Sequence, residues 1–320
     1  VLDERRGVFG QTPTKPTQLT SGPIRWVFPI FSKDGKKIFA RGVIQRGELV
    51  RFDAQSHQFL PFLGGISAEY VSFSADGKFM AYVTYPEGIL WSANLDGSSP
   101  VQLTNPPLYP INPRWSPDGN QILYGVTDAN GNGKAYLVPS RGGTPQLLVP
   151  DDKGQQADPN WSPDGRKVVF TSGGPYDPKG ELRILDLASH QFTVVPGSAG
   201  VWSPRWSPDG RFIAGLEAGN WDLKVFDFET RQWSLRQKGQ AGWLAFSRNS
   251  QFIYFTGGGA DQAVLRVRAS GGNAERVVDL KGFRYAGSVT GWMGLDPTDA
   301  PMRLRDIGSD DIYALTLEEK

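Results

Sequence analysis

The apolar and polar positions fall into one recurring phrase: an apolar run ending in an aromatic, a short polar turn, and a second β-rich run. It appears as FSKDG (31–35), FSADG (73–77), WSPDG (115–119, 161–165 and 206–210) and FSRNS (246–250). The fourth residues, Asp34, Asp76, Asp118, Asp164, Asp209 and Asn249, are spaced by 42, 42, 46, 45 and 40 positions. Each phrase suits a strand end followed by a tight reversal. The aromatic packs, Pro presets φ, Asp or Asn bonds the local backbone, and Gly tolerates positive φ. Second strands follow as KIFA (37–40), QILY (121–124), KVVF (167–170) and FIYF (252–255). Third strands follow as LVRF (49–52), AYLV (135–138), LRIL (182–185), LKVF (223–226) and VLRV (264–267). Fourth strands such as VQLT (101–104) and FTVV (192–195) close the units.

Four short strands per repeat of this length predict propeller blades. A seventh unit is degraded but readable, with GWMGL (291–295) as inner strand, 296–299 as turn and IYAL (312–315) as third strand. Only residues 316–320 follow it, too few for an outer strand, and TQLTSGP (17–23) echoes QLTNP (102–106). The expectation is therefore an all-β, seven-bladed β-propeller with four-stranded antiparallel blades, closed by an N-terminal strand that completes the last blade. Closure of this kind removes exposed sheet edges. Residues 1–16 read as a leader or linker and 17–320 as a single propeller domain. Trp115, Trp161 and Trp206 are expected in the core. Two departures, FSRNS and the seventh phrase LDPTD, predict loosened corners there.

Composition narrows the choice of partners. The 320 residues carry 34 basic and 33 acidic side chains, so no whole-chain field favours nucleic acid or an anionic membrane. There are no cysteines, which removes disulfides and thiolate metal sites and suits cytoplasm or periplasm alike. No apolar run approaches the 18 or so residues of a membrane span. The first residue is Val1, which predicts a mature form or a domain cut from something larger.

The WSPDG phrases with strands of the KVVF and LRILDL kind resemble the TolB-like, WD-like β-propeller repeat over about residues 17–320. The closing stretch from Gly291 and Trp292 through Leu304, Asp306 and Gly308 to Leu315 looks most like the C-terminal propellers of acidobacterial winged-helix regulators and Ser/Thr kinases. That resemblance implies a non-catalytic sensing or partner-binding propeller of a bacterial signalling protein, extracytoplasmic (periplasmic) by preference and cytoplasmic as the alternative. A free-standing periplasmic TolB-like interaction protein is the second expectation. A propeller hydrolase, lactonase-like or peptidase-associated, is the third.

The residues give little to a hydrolase. No G-x-S-x-G elbow is present, and the two histidines, His57 and His190, sit in matching SHQF turns, where a solvated role outweighs catalysis. One calcium candidate follows the opening of a D-x-N-x-N-G loop, Asp128, Asn130 and Asn132, but Pro139 stands where a bidentate Glu belongs. No cofactor is expected. The better lead is the ring of positions entering the inner strands. Four before each phrase Ser stand Phe28, Tyr70, Asn112, Asp158, Ser203 and Trp243, with Trp292 in the seventh unit. Two before it stand Ile30, Ser72, Arg114, Asn160, Arg205 and Ala245. An aromatic rim above Arg114, Asn160 and Arg205 predicts a channel mouth that holds a protein segment or a small anionic ligand.

Overall fold

A computed structural model describes residues 20–22, 24–128, 131–259, 262–287 and 291–316. Among them every regular element is a β-strand, and the strands form seven antiparallel sheets. The described chain divides into two compact units, one of the described residues up to Arg46 with those from Ile307 onward and the other Gly47–Asp306. Residues 1–16, with Gln18 and Leu19 of the echoed outer strand, lie outside the described residues.

The Gly47–Asp306 unit holds six four-stranded blades, each ordered from its inner strand outward. The inner strands are Ala68–Phe73 (blade A), Ile111–Trp115 (B), Ala157–Trp161 (C), Val201–Trp206 (D), Gly242–Phe246 (E) and Met293–Leu295 (F). Consecutive inner strands touch, and Met293–Leu295 touches Ala68–Phe73, so this circuit closes with six blades. The seventh sheet belongs to the other unit and has three strands, Arg25–Phe31, Lys37–Ile44 and Ser309–Thr316. The expected seven antiparallel sheets are present, six of four strands and one of three.

The cause is an exchange of third strands. Gly47–Asp53, expected beside Lys37–Ile44, pairs instead with Pro301–Asp306, and Gln58–Pro61 adds the outer strand. Ser309–Thr316 takes the vacated edge of Lys37–Ile44. The sheet that begins with Met293–Leu295 is thus completed by Gly47–Asp53 and Gln58–Pro61, whereas the echoed segment 17–23 falls largely outside the described residues. Packing explains the choice: Leu49 and Val50 are fully buried and Phe52 is 6% exposed, which suits two-sided cover inside blade F, whereas Ser309–Thr316 stays largely exposed. Charges agree with the pairing, since Arg305 meets Glu48 across one seam and Arg41 meets Asp310 across the other.

The repeated phrase forms a closed hydrogen-bond box. In the Ser116 corner, Ser116 Oγ donates to Asp118 Oδ1 at 2.5 Å and accepts from the Gln121 amide at 2.9 Å, while Asn120 N donates to Asp118 Oδ1 at 3.0 Å. The set recurs at Ser32, Ser74, Ser162, Ser207 and Ser247. Gly119 supplies the left-handed residue at φ 74°. The corners expected to be loose are intact. Asn249 Oδ1 accepts from Ser247 Oγ and Ser250 takes φ 61°. Asp296 Oδ1 accepts from Thr298 and Ala300 amides, with Asp299 at φ 65°.

The tryptophans lock neighbouring blades. Trp115 and Trp161, each 8% exposed, donate their indole N–H to the carbonyls of Ser72 and Arg114 on the preceding inner strands at 3.2 and 3.1 Å. Trp206 is only partly buried and donates to its own corner at Gly210. The link from blade C to D is made instead by Asn160 Oδ1, which accepts from Trp206 N at 2.8 Å.

Candidate functional site

Five residues of the predicted ring share a backbone feature that sequence spacing does not reveal. Tyr70, Asn112, Asp158, Ser203 and Trp243 all adopt left-handed φ, between 49° and 55°. At each the register against the second strand slips, as between Ala157 and Asn160 or Trp202 and Arg205. A bulge of this kind inserts one residue and re-aims its side chain. For residues with a Cβ it costs of order 1–3 kcal/mol, and such strain is concentrated where side chains must be presented. Phe28 has the same conformation (φ 52°) and is 73% exposed, but it belongs to the other unit. Trp292 departs from the pattern: the left-handed residue is Gly291, and Trp292 is 3% exposed, packed with Leu49, Val71 and Met80.

Three of the bulge residues converge on one another. Asp158 Oδ1 accepts from Asn112 Nδ2 at 2.9 Å, and its Oδ2 accepts from Ser203 Oγ at 2.6 Å and pairs with Arg205 Nη1 at 2.9 Å. Arg205 also donates to the carbonyls of Leu244 and Pro204. Blades B, C, D and E are thereby joined around a single carboxylate. Burial alone would raise the Asp158 pKa, but Arg205 and Arg114 outweigh it and hold the carboxyl below its usual range. Arg114, two residues beyond Asn112, has no hydrogen-bond acceptor at its buried Nε. Burial and the neighbouring Arg205 push its guanidinium down to about 9, against the pull of Asp158.

Two cavities meet at Asn112, Arg205 and Trp243. The mouth cavity, about 660 Å³, lies at the entry ends of the inner strands and is walled by Trp202, Trp221, Trp243, Tyr285 and the turn at Gly257–Gly259. The channel cavity, about 410 Å³, is lined from all six inner strands, by Val71, Arg114, Asn160, Arg205, Leu244 and Met293. Of the predicted residues, Asn112, Asp158, Ser203 and Trp243 therefore reach the mouth. Arg114 and Asn160 lie in the channel, Arg205 borders both, and Trp292 edges the channel. Tyr70 packs its ring 5.7 Å from Trp243 as a support.

Several mouth residues were not foreseen. Trp202 and Trp221 meet edge to face at 4.9 Å, and the Trp202 indole N–H is buried without an acceptor. Strict alternation would turn Trp202 away from its neighbour Ser203; the bulge cancels that alternation. Trp221 was detectable as an aromatic inside the polar turn AGNW (218–221). Arg303, 1% exposed, sits between the rings of Phe283 and Tyr285 at 5.5 Å from each.

The calcium candidate forms a hairpin tip. Asp128 Oδ1 accepts from the Asn132 amide at 2.9 Å, and Asn130 lies outside the described residues. Among the described residues no cluster of three His, Asp or Glu side chains is placed to hold a metal. His57 and His190 occupy exposed turns with φ 55° and 56°. No helix of the described residues is long and apolar enough to cross a membrane.

A family model described as the TolB beta propeller domain matches residues 70–286. Among solved structures, a protein assigned as TolB from Agrobacterium tumefaciens superposes with a TM-score of 0.65 at 23% identity, covering 82% of this chain and 99% of that one. TolB from Acinetobacter baumannii gives 0.55 at 16% identity, covering 89% and 80%. A chain of a nidogen/laminin complex gives 0.56 at 11%, covering 72% and 90%. No curated protein sequence matches. The repeated corners, the closed circuit of blades and the match over 70–286 agree, and the chain belongs to the TolB β-propeller domain family.

Proposed function

We propose that the Gly47–Asp306 propeller is a non-catalytic docking domain that takes a segment of a partner protein into its mouth cavity, as the sensing part of a bacterial signalling protein. The observation that carries this reading is the mouth itself. Three tryptophans and Tyr285 wall about 660 Å³, while the polar groups at its floor are occupied with one another through Asp158. Aromatic side chains over a hydrogen-bonded floor suit recognition of a peptide's side chains. A reaction would instead call for an activated nucleophile or base within reach of substrate. A free-standing TolB-like interaction protein is the second reading, in keeping with the fold shared with the two TolB structures. Either role fits an extracytoplasmic setting.

Site-specific photo-crosslinking tests the docking reading. A photoreactive residue at Asn220, beside Trp221 on the rim, is expected to give a discrete protein adduct in the native host. The same residue at Leu235, on an outer strand and 51% exposed, is expected to give none, and Trp221→Ala combined with the Asn220 probe is expected to lose the adduct. Equal adducts from both positions, or an adduct unaffected by Trp221→Ala in a folded protein, would remove the mouth as the docking surface.

A further inference from the structure

The channel cavity carries a charge that its own surroundings do not answer. Three arginines line it, Arg114, Arg205 and Arg248. Arg205 is paired with Asp158. Arg248 donates to the carbonyls of Ala75 and Pro297, and its amide donates to Asp299 Oδ1. The other lining carboxylate, Asp296, accepts from Thr298 and Ala300 and pairs with Arg51. Arg114 is left over: partly exposed to the cavity, without an acceptor at Nε, and with Asp158, the carboxylate that acts on it, already held by Arg205.

We infer that the channel cavity is a binding site for a small organic carboxylate, gripped by the Arg114 guanidinium. The inference rests on the reading of this channel as a binding passage but concerns a different chamber and a different ligand from the docking segment. A guanidinium presents parallel N–H donors that match the two oxygens of a carboxylate. Asn160 lies in the same wall, and its Oδ1 is engaged by Trp206 N. Val71, Leu244, Phe246 and Met293 add apolar side chains to a wall that also holds Ser72, Ser74, Asp296 and Asp299, and they suit an aliphatic body behind the charged head. A bound anion would also offset the repulsion between Arg114 and Arg205.

The probe is hexanoate, with hexanol and inorganic phosphate as comparisons, measured by calorimetry at constant ionic strength. Hexanoate is expected to bind the wild-type chain saturably, hexanol and phosphate at least about tenfold more weakly. Arg114→Met removes the charge with little change of bulk and is expected to fold and to lose hexanoate affinity at least about tenfold. Arg114→Lys is expected to fall between the two. Trp221→Ala, at the mouth, is expected to bind hexanoate as wild type, so loss of the docking reading and loss of this one are separable. Absence of saturable hexanoate binding, undiminished affinity in folded Arg114→Met, or phosphate or hexanol binding as tightly as hexanoate would overturn the inference.

Discussion

Removing the Asp158 carboxylate is the perturbation from which the account makes its sharpest demand. Asp158 Oδ2 lies 2.9 Å from Arg205 Nη1, and the two side chains are 13% and 5% exposed. At an effective dielectric of about 20 this separation corresponds to a gross attraction of about 6 kcal/mol, most of which offsets the desolvation of the two ions. Asp158→Ala cancels the attraction but leaves Arg205 buried, with Arg114 still beside it, so the expected loss is about 3–5 kcal/mol. Arg205→Met leaves Asp158 with Asn112, Ser203 and Arg114 and is expected to cost less. In the double variant no unpaired charge remains at the pair, so its loss should be smaller than the sum of the singles by at least about 2 kcal/mol. Urea denaturation followed by tryptophan fluorescence measures all four corners of the cycle. A coupling below about 0.5 kcal/mol would show that the carboxylate does not hold the four blades together, and the reasoning would fail.

Ser207→Ala should destabilise by about 1–3 kcal/mol, because Ser207 is fully buried and its loss strands the Phe212 amide that donates to it at 2.8 Å; a change below about 0.5 kcal/mol in urea denaturation would contradict this. Acid should weaken the chain corner by corner. Hydrogen bonds from Ser side chains and then from backbone amides lower the pKa of Asp34, Asp76, Asp118 and Asp164. Their contribution is therefore present above the ordinary Asp value and disappears as pH falls through the lowered folded values. The melting temperature should drop between pH 4 and pH 2, less steeply in Ser116→Ala, and a flat profile over that interval would refute the assignment.

The corners were legible because each is specified within about seven residues: Ser, Asp and Gly form the same box wherever they recur, and Asn249 with Ser250 can substitute for Asp and Gly. The strand exchange was not legible. Both LVRF (49–52) and IYAL (312–315) read as third strands, and which second strand each joins depends on burial and charge partners more than 200 positions away. At the candidate site, spacing found Asn112, Asp158, Ser203 and Trp243 but assigned Arg205 to ligand binding, whereas it is occupied by Asp158. It also counted Phe28 and Trp292 in one rim. The left-handed bulges turn Asn112, Asp158, Ser203 and Trp243 to the mouth and Tyr70 against Trp243, and a bulge has no fixed residue signature when its positions are filled by Tyr, Asn, Asp, Ser and Trp.

The mouth and the channel exist only if strands from the start of the chain complete the last blade and bring Met293–Leu295 against Ala68–Phe73. The chain has no cysteines, so a Glu48→Cys, Arg305→Cys pair can be read without interference. These residues face each other across the Gly47–Asp53 and Pro301–Asp306 seam, where antiparallel Cα spacing falls within disulfide range. Mild oxidation is expected to give a complete intramolecular disulfide in folded protein and to raise stability by about 2–4 kcal/mol. A pair that stays reduced in folded protein, or bonds only between molecules, would contradict the six-bladed closure on which the rest is built.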